Sequence, residues 1–140
     1  MRKIRQVADI LREGGVIIYP TDTVYGLGCD INQPKAIDRI CQLRGLKPDK
    51  AMLSIICKDL SQVSEFSAQI NNEIFRLLKE RLPGPYTFVL KARKSVPTRF
   101  VNRKKTIGVR VPANNIAQAI VEELGRPMMT ASLKSDDQIL

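Results

Sequence analysis

The sequence predicts one α/β domain with a twisted sheet, mixed and largely antiparallel, and helices along its flanks. Its 140 residues are typical of a single domain, and 44% of them are hydrophobic, which is enough for a core. Segments with helical spacing alternate with short apolar runs typical of strands, and this order continues along the chain. We therefore expect residues 1–140 to form one sheet-based unit.

The first predicted elements are an amphipathic helix and a buried strand. Between Met1 and Glu13, apolar residues recur three and four positions apart, as on one face of a helix, and Gly14 is a typical helix end. We expect this helix to cover the core, although its basic first turn is also suited to contact RNA. The apolar run Val16 to Tyr19 lies between glycines and a proline, which predicts a strand.

The middle of the chain contains two further helices and a strand. Pro34 suits the first turn of a helix, and Gly45 suits its end. The apolar run Met52 to Cys57 predicts a second buried strand. Ser67 is the expected N-cap of the next helix, which ends before Pro83.

Two more strands and a helix are expected beyond this point. Tyr86 to Ala92 and Thr106 to Val111 each alternate between two kinds of side chain, as strands with two different faces do. Asn114 or Asn115 is the expected N-cap of a helix that ends at Gly125.

The composition excludes several kinds of chemistry. The chain has no histidine, and therefore no Ser-His-Asp triad, no histidine-bound zinc and no imidazole base. Cys29, Cys41 and Cys57 lack CxxC spacing, and we expect them to be small, reduced core residues. The N-terminus does not resemble a signal peptide, and no apolar run is long enough to span a membrane, so we expect a cytoplasmic protein.

The positive charge is concentrated in one segment. The formal net charge is +9, and between Arg76 and Lys105 ten lysines and arginines accompany a single acidic residue, Glu80. Such a segment binds the phosphates of a nucleotide or a nucleic acid, or it only keeps the surface soluble. We expect it to form a basic, concave face of the sheet.

One predicted strand carries polar residues on a single face. Thr106, Gly108 and Arg110 alternate with apolar side chains, so they point the same way. The guanidinium of Arg110 lies between valines and is expected to be partly desolvated and to bind a carboxylate or a phosphate. Gly108 leaves room for a ligand beside the backbone. An edge strand with one solvated face would have the same pattern.

Two other segments contain candidate binding residues. Met128 to Ser132 predicts a last strand on which Thr130 and Ser132 share a face, and their hydroxyls are able to donate to phosphate or carboxylate oxygens, although such residues are also ordinary in strands. Tyr19 to Gly28 follows a buried strand and is expected to be a ligand-binding loop. Its Asp22 is a candidate for Mg²⁺ or a substrate ammonium, and equally for an Asx-turn cap.

Three motifs resemble those of the YrdC-like family, which comprises the threonylcarbamoyl-AMP synthases of tRNA modification and their YciO-type relatives. The motifs are GVIIYPTDTVYGLG at residues 15–28, GPYTFVL at residues 84–90 and TIGVRVP at residues 106–112. They occur in one order along essentially the whole chain. The resemblance implies the YrdC-like fold.

The resemblance also implies a reaction, with its substrates and binding residues. ATP, L-threonine and bicarbonate would give threonylcarbamoyl-AMP and pyrophosphate, with Mg²⁺ present, and partner proteins would pass the threonylcarbamoyl group to an adenosine beside the tRNA anticodon. Carried over position by position, Thr23, Arg110 and Thr130 would bind threonine. Thr106 and Ser132 would bind ATP.

The chain departs from the synthase pattern in two places. Synthases usually have Lys-x-Arg before a proline, where this chain has Lys47 with Arg44 nearby, and we expect these two residues to contact ATP. Synthases also usually have Ser-x-Asn, where Lys134 replaces the asparagine. A lysine supplies a point charge without the bidentate geometry of arginine. Both departures are more similar to the YciO-type branch, which implies weak or altered synthase activity.

Two further expectations follow from the sequence. Members of the family usually continue past this length with more strands and a helix, so we expect the chain to lack the usual C-terminal part. The alternative to an enzyme is a non-catalytic module that binds tRNA or double-stranded RNA through the same basic face.

Overall fold

The computed structural model describes residues 2–22, 24–47, 53–97, 101 and 104–132. Helices and strands follow one another along these residues. The helices are α1 Arg2–Arg12, α2 Pro34–Arg44, α3 Leu60–Phe66, α4 Asn72–Arg81 and α5 Asn115–Leu124. The strands are β1 Ile17–Tyr19, β2 Gly26–Asp30, β3 Ser54–Ile56, β4 Ser67–Ala68, β5 Phe88–Ala92, β6 Thr106–Arg110 and β7 Met128–Ser132.

The ends of α2 and α5 confirm the predicted helix signals. α2 begins at Pro34, and its C-cap Gly45 has a φ of 67°, a conformation that glycine adopts without strain. The side chain of Asn114 accepts hydrogen bonds from the backbone N–H groups at the start of α5. α5 ends at Gly125, which has a φ of 83°.

Three local predictions are wrong. Ser67 is not a helix N-cap: it lies in β4, and Asn71 caps α4 by accepting a 2.8 Å hydrogen bond from the backbone N–H of Ile74. The short helix α3 was not predicted, and it is capped by the side chain of Asp59. The expected loop from Tyr19 to Gly28 ends earlier, because β2 begins at Gly26.

The strands form one mixed sheet in the order β1-β2-β7-β3-β6-β5-β4. β3 and β6 run parallel, whereas the other described pairs are antiparallel, as the sequence predicted. β6 lies between β3 and β5, so the alternative that Arg110 belongs to an edge strand is wrong.

The register of β3 aligns polar residues from separate strands into rows. Ser54 pairs with Gly108 on one side and with Thr130 on the other. Two residues further along β6 and β7, in the same direction, Thr106 and Ser132 form a second row about 7 Å from the first. Paired strand residues point to the same face, so both rows lie on one face of the sheet.

Helices cover the two faces of the sheet unequally. α2, α3 and α4 pack on one face, against a core that includes Ile55, Val109 and Met129. α1 and α5 pack on the other face, against Tyr19, Ile56 and Met128. The polar rows lie on this second face, beside the part that α1 and α5 cover. α1 therefore covers the core, as predicted.

The cysteines match their predicted role in the structure. Cys29, Cys41 and Cys57 are buried and free. Burial raises the pKa of the Cys29 and Cys57 thiols far above the ordinary value, which keeps both thiols protonated. None of the described helices is long and apolar enough to cross a membrane.

An ion pair joins the two connections at one end of the sheet. Arg126 donates two hydrogen bonds, of 2.8 and 2.5 Å, to the carboxylate of Asp30, which is fully buried at the end of β2. The backbone N–H of Asn32 adds a third, of 2.8 Å. This bidentate pair holds the connection after β2 against the connection that leads into β7.

Asp30→Asn is expected to lower the free energy of unfolding by about 2–4 kcal/mol, because it leaves Arg126 without its charged partner. The expected loss of unfolding free energy is at the lower end of what breaking a buried ion pair costs, because the Arg126 side chain is 33% exposed. Urea unfolding measures the loss. As a control, Asp9→Asn removes the exposed ion pair with Arg12 and should change the free energy of unfolding by less than about 0.5 kcal/mol. Equal losses in the two variants would contradict the stabilising role given to the Asp30–Arg126 pair.

Candidate functional site

A cleft of about 160 Å³ opens on the face of the sheet that carries the polar rows. Hydroxyl groups and two arginines dominate its wall. The residues that line it are Tyr19, Thr21, Val24, Tyr25, Gly26, Arg44, Ser54, Thr87, Arg110, Thr130, Ala131 and Ser132. The cleft therefore brings together residues of β3, β6 and β7 with the end of α2.

Arg110 has the kind of partner that the sequence predicted. Its guanidinium lies 3.2 Å from a carboxylate oxygen of Asp22, and the two side chains are only 14% and 13% exposed. The second carboxylate oxygen of Asp22 accepts a 3.1 Å hydrogen bond from the backbone N–H of Ala113. Asp22 therefore holds the segment after β1 against the end of β6.

The surroundings of Asp22 do not fit a magnesium site built by the protein. Both of its carboxylate oxygens already accept hydrogen bonds from Arg110 and Ala113, and a guanidinium competes with a cation. No cluster of three or more metal-ligating side chains occurs among the described residues. Mg²⁺ is commonly held by one or two carboxylates together with substrate phosphates and water. The described residues around Asp22 therefore do not form a magnesium site by themselves, and the role of Mg²⁺ stays a prediction.

Arg44 places a second cationic group at the cleft. It is the last residue of α2, and its Nε is buried with no hydrogen-bond partner. A buried guanidinium N–H without a partner is costly, and an anionic ligand would satisfy it. Lys47, the other residue expected to replace the Lys-x-Arg motif, is exposed and does not line the cleft.

Tyr19 and Thr130 form a buried hydrogen-bond chain at the base of the cleft. The two hydroxyl oxygens are 2.5 Å apart, and the Thr130 hydroxyl donates a 2.9 Å hydrogen bond to the carbonyl of Leu27. Because Thr130 has one proton, Tyr19 must be the donor between them. Thr130 therefore offers a ligand a hydrogen-bond acceptor, which corrects the expectation that it donates.

Sequence reasoning missed the role of Tyr19, although the glycines beside it were a possible signal. A Cβ on Gly26 or Gly28 would come within 3.1 and 2.9 Å of the Tyr19 ring, so these glycines make room for the ring to reach Thr130. Gly108 serves Ser54 in the same way, since a Cβ there would lie 2.4 Å from the Ser54 hydroxyl.

The remaining predicted residues fall in different places. Ser132 lines the cleft, and Thr106 is half-buried on the same face of the sheet. Thr23 and Lys134 lie outside the described residues. The roles in ligand binding given to these residues stay predictions.

None of the described cations of the segment from Arg76 to Lys105 lines the cleft, so the part of the segment that the structure describes does not supply the expected basic wall. Arg44 and Arg110 are the described cations in its wall, and neither belongs to the segment from Arg76 to Lys105. The cations of α4 lie across the sheet, and two of them stack on aromatic rings: Lys79 on Phe75, and Arg81 on Tyr86. Within that segment, Lys91 shares the face of the cleft, because it pairs with Thr106.

Residues 9–140 match the profile of the family that groups Sua5, YciO and YrdC, which is described as "Telomere recombination". The match includes the residues that form the cleft. The chain belongs to the Sua5/YciO/YrdC family.

Curated relatives from both branches of the family are similar to the chain. YciO of Escherichia coli K12 is 51% identical over 133 residues, which are 94% of this chain and 64% of YciO. The threonylcarbamoyl-AMP synthase of Nitrosococcus oceani is 37% identical over 130 residues, 93% of this chain and 70% of the synthase. The chain thus spans somewhat less than two thirds of the length of YciO.

Solved structures of the family have the same fold. The crystal structure of E. coli YciO superposes with a TM-score of 0.87 at 49% identity, covering 94% of this chain and 64% of YciO. Sua5 of P. abyssi, crystallised with L-threonine, has a TM-score of 0.87 at 35% identity, covering 94% of this chain and 38% of Sua5. The RNA-binding alternative stays a prediction.

Tyr19 is expected to ionise late in an alkaline titration. Burial raises its pKa from 10.0 to about 12, so the stabilisation from its neutral hydroxyl is fully present below pH 10 and is lost between about pH 10 and 12. Phenolate absorbance should show a late phase that is missing in Tyr19→Phe. Tyr86→Phe, which alters an exposed ring, should keep that phase. A late phase that persists in Tyr19→Phe would contradict the assignment of Tyr19 as the buried tyrosine with the raised pKa.

Proposed function

We propose that the cleft is the amino acid end of a threonylcarbamoyl-AMP synthase site, in which L-threonine, bicarbonate and ATP give threonylcarbamoyl-AMP and pyrophosphate. One observation carries this proposal: Arg110 and Arg44 converge on a small polar cleft whose base is the acceptor Thr130. The threonylcarbamoyl-AMP synthase among the relatives and the L-threonine in the Sua5 crystal support the choice of reaction.

The size and polarity of the cleft fit an amino acid. Its volume of about 160 Å³ is below the several hundred cubic ångströms of sites for larger ligands, so a nucleotide has to extend beyond it along the open sheet. A ligand carboxylate would pair with Arg110, a planar donor of several N–H groups. A ligand amine would donate to the oxygen of Thr130. L-threonine has both groups.

The two rows of polar residues on the sheet also give the two substrates separate places. Thr130 belongs to the row of Ser54 and Gly108, whereas Thr106 and Ser132 belong to the next row. The resemblance to the synthases assigned threonine to Thr130 and ATP to Thr106 and Ser132. Threonine and ATP would therefore lie in neighbouring rows, with their reacting groups between them.

The reaction then depends on positioning and on charge. The threonine nitrogen combines with bicarbonate to give a carbamate and water. A carbamate oxygen attacks the α-phosphorus of ATP, a new P–O bond forms, and the bond to the β-phosphate breaks to release pyrophosphate. The cations and hydroxyls hold the two reactants together and stabilise the developing negative charge. No step requires histidine.

Gly108 contributes to this arrangement because it allows two side chains of the cleft wall to lie close to the β6 backbone. Its missing side chain leaves space for the Ser54 hydroxyl, and a Cβ would also come within 3.2 Å of the Thr87 methyl group. The space beside the β6 backbone at Gly108 is therefore filled by Ser54 and Thr87, which line the cleft, and this corrects the expectation that a ligand enters it.

The proposal predicts pyrophosphate release that depends on L-threonine when the protein is mixed with ATP, bicarbonate and Mg²⁺. Arg110→Lys should lower kcat/KM by about ten- to a hundredfold, because one or two charged hydrogen bonds to the carboxylate are lost. Arg76→Lys is the matched control, since Arg76 is exposed on α4 across the sheet, and it should keep the wild-type rate.

Two outcomes would overturn the proposal. One is the absence of threonine-dependent pyrophosphate from folded wild-type protein, together with no binding of L-threonine in calorimetry. The other is equal activity of wild-type protein and Arg110→Lys, because the assigned contact to the carboxylate would then be wrong.

A further inference from the structure

We propose that Lys91 binds the terminal phosphates of the nucleotide and thereby supplies charge that the chain lacks at the Lys-x-Arg motif. This inference rests on the proposed function and deepens it. Lys91 belongs to the basic segment from Arg76 to Lys105, none of whose described cations lines the cleft, and the resemblance to the synthases assigns it no role.

The sheet register places Lys91 at the end of the ATP row. Lys91 pairs directly with Thr106, so the two residues share one face of the sheet. Thr87, four residues earlier in the chain, lines the cleft on that same face. From Thr106 to Arg110 along β6 the distance is about 13 Å, given the rise of a strand per residue. The carboxylate end and the Lys91 end of the site are therefore well separated.

The local charge at this end favours a polyanion. Lys91, Lys104 and Lys105 are all exposed, and none of them forms an ion pair with another residue that the structure describes. The Lys91 ammonium donates one hydrogen bond, of 3.0 Å, to the carbonyl of Lys104, which orients the side chain. An ammonium has three N–H donors, so two remain for phosphate oxygens.

The position of Lys91 also suits the chemistry. If the threonine carboxylate is at Arg110 and the terminal phosphates are at Lys91, the carbamate and the α-phosphorus meet above the middle of β6, beside the Ser54 hydroxyl. Negative charge moves onto the departing pyrophosphate as the bond to the β-phosphate breaks. A cation at Lys91 would stabilise that charge and so act on the rate as well as on binding.

The test measures binding of ATP, ADP, AMP and inorganic tripolyphosphate by calorimetry to the full chain. Lys91→Met should raise the Kd for ATP and for tripolyphosphate about tenfold, because a charged hydrogen bond to the terminal phosphates is lost. The Kd for AMP should stay within about twofold of the wild-type value. Lys79→Met is the control: it removes the same charge from α4, across the sheet, and should bind all four ligands as the wild type does.

The outcomes separate this inference from the proposed function. If the wild type releases threonine-dependent pyrophosphate but Lys91→Met binds ATP normally, the Lys91 inference is wrong and the proposed function stands. If the wild type shows no such reaction but binds tripolyphosphate through Lys91, the phosphate site stands and the proposed function is wrong. Equal weakening in Lys91→Met and Lys79→Met indicates a general charge effect and overturns the inference.

Discussion

The pairing of β3 with both of its neighbours is the constraint on which the site depends. β3 is parallel to β6 and antiparallel to β7, and the two registers meet at Ser54, which pairs with Gly108 and with Thr130. A shift of one residue in either register would turn the polar side chains toward the core formed with α2, α3 and α4. The apolar residues that alternate with them oppose such a shift, so the core and the site are fixed by the same pairing.

Much of the fold could be predicted from the sequence, because several elements have strong local signals. Pro34 and Gly45 marked the ends of α2, and Asn114 marked the start of α5. β2 was missed because its two glycines and its aspartate are poor strand formers, and tertiary contacts stabilise it instead: the Tyr19 ring lies over the glycines. The N-cap of α4 was misplaced from Asn71 to Ser67 because both residue types are common caps.

The candidate site was only partly predictable. The alternation along β6 correctly indicated that Arg110 shares a face with Thr106 and would find an anionic partner. That partner, Asp22, is 88 positions away in the chain, and no local pattern reveals such a contact. The direction of the Thr130 hydrogen bond depends on Tyr19 and on the Leu27 carbonyl, which only the folded sheet brings together. The clustering of charge along the chain was misleading, because the cations of α4 lie on the face of the sheet opposite the cleft, whereas Lys91 of β5 points to the face of the cleft.

The most direct test of two ligand rows on one sheet face is an NMR titration of backbone amide signals, first with L-threonine and then with a non-hydrolysable ATP analogue. The account predicts that L-threonine shifts the signals of Ser54, Arg110 and Thr130. The analogue should then shift those of Thr106 and Ser132 as well. Signals that move only in α4, or that stay unchanged in both rows at saturating ligand, would contradict it.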